Sequence, residues 1–187
     1  MKLIVGLGNP GEKYHSSRHN VGFLFLDALR EELLWQGDYS VTDWKEEKTF
    51  NSKLCLLKKG SEVIAILQKP LTYMNRSGAA VVKVVKKFNI EDFGENLILI
   101  HDDLDLSLGK FKIQAGKAPL SHNGVRSVEE RVGTKEFKRI RIGIENRGGV
   151  DITGEDYVLM RFLDSEKEIV DEIIQEAVSI ILPDMLV

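Results

Sequence analysis

An apolar run near the start of the chain leads directly into the pattern G-x-G-x-x-G. Residues 3–5 are Leu, Ile and Val, and residues 6–11 read GLGNPG. In a dinucleotide-binding fold the last glycine of this pattern lies in the first turns of a helix, and an acidic residue about 20 positions later ends the second strand. Here Pro10-Gly11 is a turn dipeptide, and Asp27 falls inside the helical pattern FLFLDAL. We therefore interpret the glycines as points of close backbone approach that present Asn9 to a crevice, although asparagine is also a common turn residue.

Hydrophobic periodicity along the chain alternates between the spacing of strands and that of helices. The β-rich runs at 52–58 and 63–69 are separated by KGS, which predicts a hairpin. In a predicted helix at 77–88, Ala79, Val82 and Val85 are expected to face a core. Interleaved strands and helices predict an α/β fold with a mixed sheet, because a hairpin lies among the crossovers. Further strands are predicted at 2–8, 96–101, 110–114 and 138–144, and further helices at 21–34, 123–132 and 164–182.

Length and composition bound the organisation of the chain. Its 187 residues suffice for one sizeable core and no linker-like stretch divides them, so a single domain of residues 1–187 is expected. The formal net charge of −3 at pH 7 argues against a surface that binds nucleic acid everywhere, but leaves room for a local basic patch. With no signal-peptide pattern and a lone Cys55, which we expect in the core, a cytoplasmic location is predicted.

Four polar stretches concentrate side chains that can act on a substrate: GLGNPG with YHSSRHN, KPLTYMNRSG, HDDLDLSLG and SHNGVRS. Three of them contain an asparagine, and neutral amides that both donate and accept suit a peptide-like or ester carbonyl. His19 is a candidate general base because imidazole titrates near neutral pH, although a lone histidine is more often a surface or capping residue. Asp102, where a predicted strand meets a loop, is a candidate to orient that imidazole, although HDDLD also fits a solvated turn.

Metal and covalent chemistry have weaker support in the sequence. The acidic run after His101 lacks the glycine and glutamate spacing of a calcium loop. A transition-metal site from His19, His101, His122 and Asp102 is conceivable, but no H-x-x-x-H or C-x-x-C pair supports it. No G-x-S-x-G elbow is present for a serine nucleophile. The metal and nucleophile interpretations therefore have less support than a general base.

Taken in order, these motifs resemble those of the bacterial-type peptidyl-tRNA hydrolase family. The resemblance covers about residues 2–163 and rests on GLGNPG, Y-x-x-x-R-H-N-x-G-F, K-P-x-T-Y-M-N-x-S-G, H-D-D-L-D-L-x-x-G, H-N-G-x-R-S and R-I-R-I-G-I. It implies a monomeric, single-domain α/β/α sandwich of the cytoplasm. It also implies an enzyme that hydrolyses the ester between a peptide and the 3′ ribose of tRNA, without metal or cofactor, and so recycles tRNA from stalled translation.

The resemblance also assigns roles to individual residues. It implies that His19 is the base that activates water, and that Asp102 holds and polarises this histidine. Substrate binding is implied for Asn9, Asn75 and Asn123, together with Tyr14 and Tyr73 of the same motifs.

The tRNA end of such a substrate calls for phosphate contacts. Alternation along the predicted strand 138–144 places Arg139 and Arg141 on one face, and Lys112 alternates likewise on the predicted strand 110–114. We therefore expect Lys112, Arg139 and Arg141 to bind tRNA. A charged, solvated sheet face is the alternative interpretation.

Three segments depart from the usual pattern of the family. The stretch AGKAPLSHNG carries Pro119 and Leu120 where the family usually has glycines, residues 145–149 read ENRGG, and the chain ends in ILPDMLV. These departures bear on tRNA binding and leave open a catalytically idle RNA-binding protein on the same fold. A metal-dependent esterase or peptidase is a further alternative, which sensitivity to a chelator would separate. The presence of His19, Asp102 and the three asparagines together favours the enzyme.

Overall fold

One mixed β-sheet forms the centre of the computed structural model, which describes residues 1–116 and 122–186. The strands lie in the order β2-β4-β5-β1-β6-β8-β7, and β3 also pairs with β4. Their bounds are β1 (Lys2–Gly6), β2 (Ser40–Val41), β3 (Lys45–Glu47), β4 (Ser52–Lys59), β5 (Glu62–Pro70), β6 (Leu97–Ser107), β7 (Phe111–Ala115) and β8 (Lys138–Glu145).

The middle of the sheet is parallel and its edges are antiparallel. β1 lies parallel between β5 and β6, and β6 lies parallel to β8. β4 pairs antiparallel with β5, and Gly60 in the turn between them has a φ of 62°, which glycine adopts without strain. β7 pairs antiparallel with β8 at the other edge. The predicted hairpin and mixed sheet are therefore confirmed.

Helices cover both faces of the sheet. Because side chains alternate along each strand, the strands feed two separate cores. The core that contains Ile4 and Ile140 also holds the apolar faces of α1 and α6, and the core that contains Leu3 and Leu99 holds those of α2 and α4. This is the predicted α/β/α arrangement. The helices are α1 (Val21–Leu33), α2 (Ser77–Phe88), α3 (Phe93–Asn96), α4 (Asn123–Val132), α5 (Gly154–Leu159) and α6 (Asp164–Met185).

Two glycines, Gly6 at the end of β1 and Gly22 in the first turn of α1, bring this strand against the helix. A Cβ atom on Gly6 would lie 2.2 Å from the carbonyl oxygen of Gly22, and a Cβ atom on Gly22 would lie 2.5 Å from the backbone nitrogen of Leu7. No side chain fits at either position, so the strand and the first turn of the helix meet backbone to backbone. α1 begins at Val21, well beyond the glycine pattern, so the loop is not the helix-capping turn of a dinucleotide site. The interpretation of the glycines as points of close approach is confirmed for Gly6 and for Gly8, whose Cβ would lie 2.9 Å from the ring of Phe23. It does not hold for Gly11, where a Cβ would meet no atom within 4 Å and the φ of 101° is the reason for glycine.

The buried face of α2 differs from the prediction. Its bounds are as predicted and Val85 is buried as expected, but Ala79 and Val82 are only partly buried. The other core residues of the helix include Ala80, Val81 and Val84. The helix packs against α4 as well as against the sheet, and this second partner turns a different side of it inward.

β6 is longer than the sequence predicted. The predicted strand ends at His101, but β6 continues to Ser107 because it pairs with β8 beyond that point. Asp102 therefore lies within a central strand and not in a loop. The short elements β2, β3, α3 and α5 were not predicted, and the remaining predicted elements agree with the observed bounds to within three residues.

Three further points concern Cys55, the described helices, and the segment that carries Pro119 and Leu120. Cys55 is buried as expected, where its thiol donates to the carbonyl of Thr42 and burial raises its pKa. None of the described helices combines the length and the apolar character needed to cross a membrane. Pro119 and Leu120 lie outside the described residues.

Candidate active site

The two predicted catalytic residues, His19 and Asp102, meet Asn9 and Asn123 at the carboxyl ends of neighbouring parallel strands. Asn9 follows β1, and Asp102 lies in the adjacent strand β6. His19 lies in the 3₁₀ turn Arg18–Asn20 that leads into α1. A cleft of about 680 Å³ opens at this edge, lined by Asn9, His19, Asp102, His122 and Asn123 on one side and by α5 on the other. Clefts at the carboxyl ends of parallel strands are where open α/β sheets bind their ligands.

His19 and Asp102 are in direct contact. The distance from His19 Nδ1 to Asp102 Oδ1 is 2.8 Å, and Asp102 is buried. A carboxylate can only accept, so His19 Nδ1 carries the proton and Nε2 keeps its lone pair. Burial alone would lower the pKa of His19, but the charge and hydrogen bond of Asp102 outweigh it and raise the pKa above its ordinary value. Burial opposes ionisation of Asp102, yet the two histidines hold the pKa of this carboxyl well below its usual range.

His122 is a second hydrogen-bond donor to the same carboxylate oxygen. Its Nε2 atom lies 3.0 Å from Asp102 Oδ1. Its Nδ1 atom accepts from the backbone N–H groups of Gly124 and Val125, so His122 is also the N-cap of α4. Because Nδ1 accepts two hydrogen bonds, the proton of the imidazole lies on Nε2. The tautomer of His122 is thus fixed by the start of the helix.

His101 is a third imidazole beside Asp102, and it is fully buried. Its Nδ1 atom lies 2.7 Å from the carbonyl oxygen of Asp102, and its ring packs edge-on against that of His122, with 4.9 Å between ring centroids. Burial, followed by the proximity of His122, lowers the pKa of His101 to about 3. His101 is therefore neutral at physiological pH and donates to the backbone of the strand that carries Asp102.

Asn9 is held rigidly, with one face of its amide left for a substrate. The side chain of Asn20 accepts from the backbone N–H of Asn9 and donates to its carbonyl, at 2.8 and 3.0 Å. The side-chain oxygen of Asn9 accepts from the N–H of Met74 at 2.9 Å. No hydrogen bond among the described residues uses Asn9 Nδ2, although the side chain lines the cleft. Asn9 therefore offers a fixed N–H donor at this position.

The other two predicted asparagines are more exposed. Asn123 is the first residue of α4 and lines the cleft, where its side-chain oxygen accepts from Arg126 at 2.7 Å. Asn75 lies in the 3₁₀ turn Met74–Arg76 that precedes α2, next to Met74, which contacts Asn9. The structure thus brings Asn9 and Asn123 to one cleft and places Asn75 one residue from it.

The two predicted tyrosines lie outside the cleft. Tyr14 is half-buried in the 3₁₀ turn Glu12–Tyr14, and Lys13 lies over its ring. Tyr73 is exposed and lines a second cleft, of about 570 Å³, together with Pro10 and Arg76. Any contact of these tyrosines with a substrate would therefore involve its more distant parts.

The predicted tRNA-binding face requires a correction at Arg139. This side chain is fully buried, and its guanidinium contacts Glu129 of α4 at 2.6 Å and the carbonyl of Lys135. Arg139 therefore does not reach a phosphate at the surface. The predicted alternation is right, but α4 covers this part of the face.

Arg141 and Lys112 lie nearer to solvent. Arg141 contacts Asp103 at 2.5 Å and Gln114 at 3.1 Å, and its side chain is 13% exposed. Lys112 is exposed on β7 and is the register partner of Arg141 on β8. Of the three residues on the predicted tRNA-binding face, Lys112 and Arg141 are therefore the two that reach solvent.

The hydrogen bonds to Asp102 bear on the alternative that His19, Asp102 and His122 bind a metal ion. One ligand atom from each of His19, Asp102 and His122 lies within 4.8 Å of the others, a grouping that is compatible with a metal ion. However, the histidine nitrogens that face Asp102 Oδ1 both act as donors in the observed hydrogen bonds. A metal there would have to displace both protons. The arrangement therefore favours proton transfer over metal binding.

Sequence comparison identifies the family to which this geometry belongs. The family model described as Peptidyl-tRNA hydrolase matches residues 3–186. The chain belongs to the peptidyl-tRNA hydrolase family. The chain is 41% identical to the peptidyl-tRNA hydrolase of Thermodesulfovibrio yellowstonii over 97% of its own length and 91% of that relative. It is 42% identical to that of Thermotoga maritima over 96% and 90% of the two chains.

Solved structures of peptidyl-tRNA hydrolases share the fold. The Acinetobacter baumannii enzyme aligns with a TM-score of 0.82 at 31% identity, over 99% of this chain and 92% of that one. A peptidyl-tRNA hydrolase crystallised with N-propanol gives the same TM-score at 32% identity, over 96% and 85% of the two chains. The resemblance seen in the sequence motifs is therefore confirmed.

Sequence reasoning missed two residues that shape the site. His122 was considered only as a metal ligand, and Asn20 was not singled out. A histidine directly before the predicted helix 123–132 is in the position of an N-cap, which is a usable signal. No comparable sequence signal indicates that Asn20 clamps the backbone of Asn9, because that contact depends on the turn between β1 and α1.

Proposed function

We propose that this peptidyl-tRNA hydrolase cleaves the ester between a peptide and the 3′ ribose of tRNA by histidine-assisted attack of water. The proposed enzyme is one domain of residues 1–187 and acts on peptidyl-tRNA in the cytoplasm. The observation that carries the proposal is the hydrogen bond of 2.8 Å between His19 and Asp102, both of which line the cleft. The match of the family model to residues 3–186 and the 41% sequence identity to a peptidyl-tRNA hydrolase over 97% of the chain support the choice of substrate.

His19 is the proposed general base. With its Nδ1 proton bound to Asp102, only Nε2 can accept a proton from water. The negative charge of Asp102 stabilises the imidazolium that forms, as the aspartate of a hydrolase triad does. The roles are those of a triad in which water takes the place of the serine.

The proposed reaction proceeds in two steps. Water attacks the ester carbonyl carbon as His19 Nε2 takes one of its protons, and a tetrahedral oxyanion forms. The bond to the ribose oxygen then breaks, and that oxygen takes the proton back from His19. The products are a peptide with a free carboxyl group and tRNA with a free 3′-terminal ribose hydroxyl.

Asn9 and Asn123 are the proposed contacts to the substrate carbonyl groups. The Nδ2 donor of Asn9, which forms no hydrogen bond with the described residues, supports a role next to the oxyanion, because a donor that is held in place needs no reorganisation when charge develops. Asn123 at the start of α4 adds an amide and the positive end of the helix dipole. Asn75, Tyr14 and Tyr73 remain proposals for more distant contacts with the substrate.

The tRNA end is proposed to contact Lys112 and Arg141. Their neighbouring positions on β7 and β8 supply two cationic groups, of which Lys112 is the more exposed. A protein with a net charge of −3 can still bind a few phosphates locally. So few contacts predict only a shallow dependence of binding on salt.

The proposal is tested by the release of free tRNA from peptidyl-tRNA in the presence of EDTA. We expect the wild-type protein to release tRNA under these conditions. His19→Ala should bind peptidyl-tRNA and lose about 10²- to 10⁴-fold in turnover, the usual contribution of a general base. His15→Ala is the matched control, because His15 is an exposed histidine four positions earlier in the chain.

Three results would contradict the proposal. Binding of tRNA without release by the wild type would indicate the idle RNA-binding alternative. Loss of release in EDTA, with recovery on addition of a divalent metal, would indicate the metal-dependent alternative. Equal activity of His19→Ala and His15→Ala would remove His19 from the mechanism.

A further inference from the structure

We propose that His122 is a positioning residue that shares the carboxylate of Asp102 with His19 and thereby sets the pH range over which His19 works as a base. The inference rests on the proposed function, in which His19 accepts a proton from water. His122 does not need to touch the substrate for this role, because it acts through Asp102.

Two donors converge on one oxygen of Asp102. His19 Nδ1 lies 2.8 Å and His122 Nε2 lies 3.0 Å from Oδ1, and no hydrogen bond to Oδ2 is found within residues 1–116 and 122–186. The two imidazole rings are close to each other, with 5.0 Å between their centroids. Any negative charge that His122 stabilises on Oδ1 is less available to attract the proton of His19.

The start of α4 fixes which nitrogen of His122 faces Asp102. The backbone N–H groups of Gly124 and Val125 point at Nδ1, at 3.2 and 3.3 Å. Because Nδ1 accepts these hydrogen bonds, the ring proton lies on Nε2, which points at Asp102.

The surroundings single out this pair of donors. His101 contacts His122 edge-on, but its Nδ1 atom donates to the backbone carbonyl of Asp102 and not to the carboxylate. Burial lowers the pKa of His101 to about 3, so this ring does not add a charge to the cluster near neutral pH. The titratable groups that line the cleft together with His19 are Asp102, Asp103 and Asp105 of β6, His122 before α4 and Glu155 of α5.

Two substitutions separate the two functions of His122. In His122→Asn the amide oxygen takes the place of Nδ1 and can cap α4, but residue 122 no longer has a donor that reaches Asp102. In His122→Gln the terminal amide N–H takes the place of Nε2 and can reach Asp102, while the cap is weakened. The pair therefore distinguishes the hydrogen bond to the carboxylate from the stability of the helix.

The test measures the acid limb of kcat/KM for tRNA release, which reports the pKa of the base in the free enzyme. Without the second donor, Asp102 attracts the imidazolium form of His19 more strongly. His122→Asn should therefore move the midpoint of the acid limb to higher pH by about one unit, the scale of one hydrogen bond to a charged group. His122→Gln should leave the midpoint at the wild-type position. His15→Asn controls for the loss of a histidine elsewhere.

A second measurement does not depend on activity. Titration of the His19 ring resonances by NMR should show the same upward displacement in His122→Asn. If the wild type releases no tRNA, the proposed function fails, while this titration still tests the role of His122. If His122→Asn does not fold, His122→Ser replaces it, because serine caps a helix and is too short to reach Asp102.

Two outcomes would overturn the inference. A lower rate of His122→Asn at all pH values, with an unmoved acid limb, would assign His122 a purely structural role. An equal shift of the acid limb in the Asn and Gln variants would show that the helix cap, and not the donor to Asp102, controls His19.

Discussion

At the scale of single residues, the charge of Asp102 determines the pH range in which His19 can act as a base. Only the neutral imidazole can accept a proton from water, so activity requires a pH above the pKa of His19. Burial lowers this pKa, and the charge and hydrogen bond of Asp102 raise it to a net value above the ordinary one. The wild-type kcat/KM should therefore rise with pH, with a midpoint above about 6.5, the value for a free histidine.

Removal of the carboxylate charge should reverse this balance. In Asp102→Asn the burial of His19 remains while the charge that opposes it is lost, so the acid limb should move to lower pH. The maximal rate should fall by up to about 10⁴-fold, the loss caused by the same substitution in a Ser-His-Asp triad. The pH profile of tRNA release checks both effects, with the exposed Asp38→Asn as the control. A midpoint that stays in place or rises would contradict this account of His19.

Sequence reasoning at this scale supplies the residue types but not their contacts. His19 and Asp102 are 83 positions apart, and only the pairing of β1 with β6 brings their segments together. The alternation that placed Arg139 and Arg141 on one face was also right. It could not show that Glu129 of α4 lies over Arg139, because the position of a helix above a sheet depends on packing across the whole face.

At the scale of elements, the sequence predicts where a helix begins and ends better than it predicts which face of the helix is buried. The bounds of α2 and α4 agree with their prediction because the hydrophobic periodicity that defines them is local. The face of α2 does not agree, because the run SGAAVVKVV contains small or apolar residues on several sides. Contact with α4 selects among them, and that contact is not encoded locally.

The contact between α2 and α4 yields a prediction for Gly78. A Cβ atom on Gly78 would lie 1.9 Å from the carbonyl oxygen of Ser127, and the N–H of Gly78 donates to the hydroxyl of Ser127. Gly78→Ala should lower the free energy of unfolding by about 1–3 kcal/mol despite the better helix propensity of alanine. Gly94→Ala in α3 is the control, because its Cβ would meet only ordinary contacts of 3.6 Å or more. Urea unfolding measures both variants, and equal stability would show that the helices separate without cost.

At the scale of the whole molecule, a buried ion pair connects the turn that carries His19 to the last helix. Arg18 contacts Glu166 at the start of α6, and its guanidinium lies over the rings of Tyr157 and Phe162. Glu166 also accepts from the side chain of Asn146 beyond β8, at 2.9 Å. The two charged residues are 148 positions apart, so no local pattern in the sequence indicates this pair.

Removal of one partner of this ion pair should lower the free energy of unfolding more than removal of both partners. Both side chains are only 3% exposed, so removal of one partner leaves an uncompensated buried charge. Glu166→Ala should therefore lower the free energy of unfolding by about 3–5 kcal/mol. The double variant Arg18→Met with Glu166→Leu should lose much less than the sum of its single variants, because no charge is then left unpaired. Urea unfolding of the four proteins completes the cycle. Additive losses would mean that Arg18 finds another partner when Glu166 is absent, and that the turn with His19 does not depend on α6.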